Sequence, residues 1–134
     1  MLLEAIAAAG IVALGLVAFL SVLPTATMAV SEGAQLSTAT FLAASRLEEL
    51  RGLAWSGVAL DTLALPDEPA LAEPYAGYSR QVRIADCSVP PGCGAIASPL
   101  IRQVTVTVAY RPRTASGLAG ESKAVTLTTL VASR

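Results

Sequence analysis

The first 31 residues carry a single charge, and it stands almost at the start: Met1-Leu2-Leu3-Glu4, then an apolar run. From Ala5 to Leu23 there is no Asp, Glu, Lys or Arg, and Ser21 is the only polar side chain. As a helix that stretch matches a hydrocarbon core of about 30 Å. The acid at its edge is the unusual part. A carboxylate drawn into hydrocarbon costs roughly 2.5–3.5 kcal/mol on insertion scales, so acids at such positions usually have a partner and a role.

Three readings of this segment compete. A secretory signal peptide needs a basic start, a shorter apolar stretch and a small-residue cleavage site. Here no Lys or Arg precedes Arg46. A simple anchor fits the length but explains neither the acid nor the missing flanking positive charge that usually sets orientation. The third reading is a processed chain whose helix lives first in a membrane and then in a protein assembly.

The helical pattern continues past the apolar part to about Leu53, punctuated by Gly10, Gly15, Pro24 and Gly33. After Ser31 it becomes amphipathic, with Leu36, Ala39, Ala43, Leu47, Leu50 and Ala54 recurring every three or four residues. Arg46 with Glu49 and Glu48 with Arg51 are placed to pair at i,i+3. A helix of about 50 residues is roughly 75–80 Å long, more than a small domain can cover. Its first half therefore projects and finds partners in lipid or in other chains. Pro24 removes one backbone bond, which predicts a kink, a locally melted turn or an adjustable segment.

Segment 60–74 reads as a loop with Pro66, Pro69 and Pro74. Its acids lack the alternating spacing of a calcium loop, so a solvated linker is expected. Three strands follow. Residues 78–84 place Tyr78, Val82 and Ile84 on one face; 104–110 alternate apolar residues with Thr; 124–131 alternate until Thr128-Thr129, which suggests a bulge. Segment 112–122 reads as a hairpin connection. The expected architecture is α+β: a long N-terminal helix, apolar half protruding and amphipathic half packed on an antiparallel sheet of three to four strands. Residues 1–31 form the hydrophobic segment and 32–134 the globular domain, with an exposed Thr-rich outer sheet face.

Cys87 and Cys93 flank Ser-Val-Pro-Pro-Gly. Two cysteines this close, beside a membrane or export segment, read as a disulfide formed outside the cytoplasm, worth about 2–2.5 kcal/mol on the chain-entropy model. The redox-active alternative has neither the C-x-x-C spacing nor a neighbouring His or Lys in sequence to lower a thiol pKa.

The 134-residue chain is 54% hydrophobic with net charge −1 and no histidine. No basic patch stands out, so electrostatic nucleic-acid binding has no support and none is predicted. The lack of His, of a glycine-rich phosphate loop and of a Ser-centred nucleophile motif argues against an enzyme and against a zinc site. No catalytic, cofactor-binding or metal-ligating residues are nominated. Six scattered aromatic residues give no continuous stack for electron transfer.

Leu2-Leu3-Glu4-Ala5-Ile6 with its apolar helix, the extension from Phe41 to Leu50 and the Val/Thr strands together resemble a type IV pilin or pseudopilin. In that family the glutamate lies one residue further from the mature N-terminus than Glu4 lies from Met1. The resemblance implies a structural subunit of an extracellular filament (fimbrium), held first in the bacterial inner membrane. A prepilin peptidase cuts it, and it polymerises on an assembly platform with copies of itself and with minor pilins. Met1 would then carry a free, often methylated, terminal amine, and Glu4 would pair with that amine of a neighbouring subunit. Gly10 and Gly15 would allow close helix approach, and Pro24 would tune the helix. Pilins also commonly carry a disulfide in the C-terminal half. The alternatives are a minor pseudopilin of a type II secretion tip complex and, from another class, a monomeric membrane-anchored binding protein. The latter would use the Thr-rich face or the loops 60–76 and 112–122.

Overall fold

The computed structural model describes residues 2–52, 65–88, 93–94, 96–114 and 117–133. Expectations that fall on Met1, Leu53, Ala54, Trp55 and the first part of loop 60–74 lie outside the described residues.

The chain is an α+β protein. One helix, α1, runs Leu2–Gly52. The three-stranded sheet is antiparallel, in the order β1 (Tyr78–Asp86), β2 (Ile101–Tyr110), β5 (Lys123–Ala132). Between β2 and β5 lies a two-stranded excursion, β3 (Arg113–Thr114) and β4 (Gly117–Leu118), where a hairpin connection was expected. Gly117 has φ +116°, a conformation open to glycine and strained for L side chains.

The core lies between the C-terminal part of α1 and one sheet face. Ala39, Leu42, Ala43, Leu47 and Leu50 meet Val82, Ile84, Val104, Val106, Val108 and Tyr110. Alternation along β2 explains this: every second residue from Val104 to Tyr110 is buried. Two expectations for the helix face are corrected. Leu36 is 49% exposed, and Leu42, absent from the expected set, is buried. The helix lies over β2 and β5, and Leu36 precedes Ala39, the first buried position of α1.

The expected bulge in the third strand is also overturned. β2 and β5 pair without interruption from Ile101↔Ala132 to Tyr110↔Lys123. Thr129 simply takes an inward position, where its hydroxyl accepts a hydrogen bond from Arg51 at 2.7 Å, and Leu130 turns outward. The outer face carries the Thr pairs Thr105–Thr128 and Thr107–Thr126, at 3.2 and 3.1 Å. The loop before β1 is not a free linker. Glu68 exchanges two backbone hydrogen bonds with Arg80 and also binds its guanidinium, while Asp67 accepts from Arg83 and Gln81. The loop therefore covers the outer edge of β1, which strand edges commonly require.

Candidate assembly surface

From Leu2 to Thr38 no residue of α1 is buried, and the first fully buried position is Ala39. At 1.5 Å per residue this leaves roughly 55 Å of helix outside the core. Its apolar side chains are uncovered: Leu3 is 84% exposed and Phe19 65%. The helix is long and apolar enough to cross a membrane. In water an uncovered apolar surface of this size is unfavourable.

The sequence-nominated residues fall as follows. Glu4 lies in the first turn, exposed, and no described residue pairs with it. At a helix N-terminus its charge is favoured by the unsatisfied N–H groups. Gly10 and Gly15 have nothing within 4 Å of a hypothetical Cβ, so within one chain neither is required for close packing. The helix runs unbroken past Pro24, so of the alternatives left open for this point a locally melted turn is not seen. Hydroxyl groups surround this point: Ser21 donates to the Ala18 carbonyl, Thr25 to Val22 and Thr27 to Pro24, at 2.7–2.9 Å. Met1 lies outside the described residues. The structure thus places Glu4, Gly10, Gly15 and Pro24 on one free rod without bringing them together.

Both expected pairs at i,i+3 form, Arg46–Glu49 at 2.6 Å and Arg51–Glu48 at 2.7 Å. The hydrogen bond from Arg46 holds the Glu49 carboxyl below the usual range. Hydrogen bonds from Arg83 and then Gln81 do the same for Asp67, and the backbone N–H of Ser88 does so for Asp86. Where the free rod joins the domain, Lys123 of β5 binds Glu32 of the helix, which pushes the lysine pKa up. At the far end Arg51 reaches Thr129. These two contacts hold the helix along β5.

Cys87 and Cys93 form a disulfide, with Cα atoms 4.9 Å apart. Both residues are buried, which separates the sulfurs from solvent and opposes the redox-active reading. The Cys87 N–H donates to the Ile101 carbonyl and Ser98 N–H to the Cys87 carbonyl, tying this loop to the start of β2.

Sequence reasoning missed a groove of about 850 Å³ beside the helix at residues 31–38, with Arg111 and Arg113 in its wall. It also missed the tyrosine cluster, in which Tyr75 meets Tyr78 at 6.4 Å and Tyr78 meets Tyr110 at 5.8 Å between ring centres. The short spacing of Tyr75 and Tyr78 was a usable signal; their contact with Tyr110 depends on strand pairing.

No family model, no curated protein and no solved structure matches this chain.

Proposed function

We propose that the chain is a structural subunit of a type IV pilus or pilus-like filament, first anchored in a membrane and then polymerised outside the cell through its free helix. The observation that carries this reading is a rod of 51 residues that uses only its C-terminal part to build its own core. Such a rod needs an external solvent, and lipid and neighbouring rods can each supply one. Glu4 contributes register: pairing its carboxylate with a neighbour's terminal ammonium neutralises two charges that are each costly when buried alone. Small residues such as Gly10 and Gly15 let rods approach closely, and dispersion supplies most of the cohesion. Prepilin peptidase and the assembly platform enter by resemblance alone.

The test is Glu4→Ala. The globular part keeps its melting transition, and filament yield by electron microscopy of sheared material collapses. A normal yield refutes the assembly role. Purified filaments containing only traces of this chain favour the minor pseudopilin reading.

A further inference from the structure

The groove at the neck of the molecule has a placement that points to a ligand. Its walls are helix residues Ser31, Gln35 and Thr38 on one side and Tyr110, Arg111 and Arg113 on the other. Among the described residues, the two arginines are the only charged ones lining it. Both are exposed, and neither guanidinium has a hydrogen-bond or ion-pair partner among the described residues, in contrast to Arg46, Arg51, Arg80 and Arg83. Glu32 is held by Lys123; Glu73 and Glu121 adjoin wall residues in sequence without lining the groove.

The level of this groove follows from the pairing. Tyr110 ends β2 and lies opposite Lys123, which binds Glu32. Arg111 and Arg113 therefore leave the sheet where the free helix begins. With Glu4 at one edge of the hydrocarbon, about 20 residues reach the other edge near Pro24. Ser31 then stands about 10 Å above that edge, against a headgroup layer of roughly 5–8 Å. Ordinary helix tilt lowers it further. In a chain seated this way, arginine side chains at this height come within reach of lipid phosphates.

We propose that this groove binds the phosphate headgroup of an anionic glycerophospholipid while the helix spans the bilayer. The guanidinium groups of Arg111 and Arg113 donate to the phosphate oxygens, the geometry arginine favours. The bound lipid fixes the domain against the membrane and is left behind when the helix leaves lipid. This inference rests on the membrane-anchored stage of the function proposed above.

The test uses the full chain reconstituted in vesicles of phosphatidylcholine, with spin-labelled phosphatidylglycerol or phosphatidylcholine as probe. Insertion is scored separately by flotation and resistance to alkaline extraction. The wild-type chain inserts and prefers labelled phosphatidylglycerol. Arg111→Gln/Arg113→Gln inserts equally and loses that preference, by about fivefold for each guanidinium. Should the double variant not fold, the two single variants read the same loss. Arg51→Gln, at the opposite end of the domain, keeps the preference; an equal loss there reduces the effect to net charge and overturns the site. Complete displacement by soluble glycerol phosphate identifies a free-anion site and overturns the lipid assignment. Insertion without preference overturns the proposal and leaves the anchor standing, whereas failure to insert in any vesicle removes the anchor itself.

Discussion

Replacing Leu50 and Leu20, each by Ala, divides one helix into its two roles. Leu50 is 1% exposed and belongs to the cluster containing Leu47, Val104, Val106 and Val108. Truncation removes three carbons from this core. The transfer loss is about 2.4 kcal/mol at 0.8 kcal/mol per methylene. A partly collapsed cavity brings the total to roughly 3–4 kcal/mol. A domain of this size has on the order of 5–15 kcal/mol in all. The expected fall in Tm is therefore roughly 15–25 °C. Leu20 is 61% exposed, and Leu and Ala have similar helix propensity, so its truncation should leave the domain transition within about 0.5 kcal/mol. Near-UV circular dichroism of the full chain in detergent reads the tyrosine cluster at Tyr75, Tyr78 and Tyr110, which unfolds with the sheet. An equal loss from both substitutions refutes the partition, because it means that the N-terminal half also supports the domain. A Leu50→Ala transition within a few degrees of wild type refutes the assigned core.

Replacing both Cys87 and Cys93 by Ala should lower stability by about 2–2.5 kcal/mol through the freed loop of the unfolded chain, measured as a shift in urea midpoint with unchanged slope. Because Glu49, Asp67 and Asp86 have carboxyls held below their ordinary range, they stabilise the fold above the unfolded carboxylate pKa. That contribution is lost as pH falls through the depressed values, so the urea midpoint should decline below about pH 4 and Asp67→Asn should flatten part of the decline. A midpoint independent of acid contradicts these pairings. Lys123 has the opposite sign: its raised pKa supports the fold below the ordinary lysine range and ceases to do so as pH climbs through the raised value. A double-mutant cycle on Arg51→Ala and Thr129→Val should give a coupling below about 1 kcal/mol, since Arg51 is half exposed. A larger value would make this contact a principal anchor of the helix.

The architecture was legible because its signals are periodic. Val104, Val106 and Val108 alternate with Thr105 and Thr107, and the α1 face at Ala39, Ala43, Leu47 and Leu50 repeats at helical spacing; both patterns reach the core as read. The failures lie where pairing between distant segments decides. Thr129 looked like a break in alternation because its partner, Arg51, is 78 positions away. Leu36 belongs to the apolar stripe in sequence but is half exposed, one turn before the first buried position. Asp67 and Glu68 read as solvent-facing linker acids, although Arg83 and Arg80 on β1 draw them onto the sheet edge. The groove was invisible for the same reason: Ser31, Arg111 and Tyr78 line one groove only once β1 pairs with β2 and the helix lies across them. Glu4 stood out because its neighbours carry no charge, and that requires no folding.

On the proposed reading, the placement of Glu4 and Pro24 separates the cost of anchoring from the cost of assembly. The interval between them is 20 residues, about 30 Å of helix, which equals the hydrocarbon thickness. A chain seated in this way keeps Glu4 at one interface, where water and headgroups solvate its carboxylate. It puts the backbone gap left by Pro24 at the other interface, where polar partners are available for the freed carbonyl. The hydroxyls of Ser21, Thr25 and Thr27 already donate to carbonyls within this turn, and polar residues become frequent from Thr25 onward. Neither residue is therefore expensive in the membrane. On the proposed reading the expense arises only when lipid is exchanged for neighbouring rods, since close packing removes the water that solvated the carboxylate. A charge that is nearly neutral to the anchored state and costly to an unpaired assembled state discriminates between correct and mis-stacked neighbours, whereas a uniformly apolar tip would accept either.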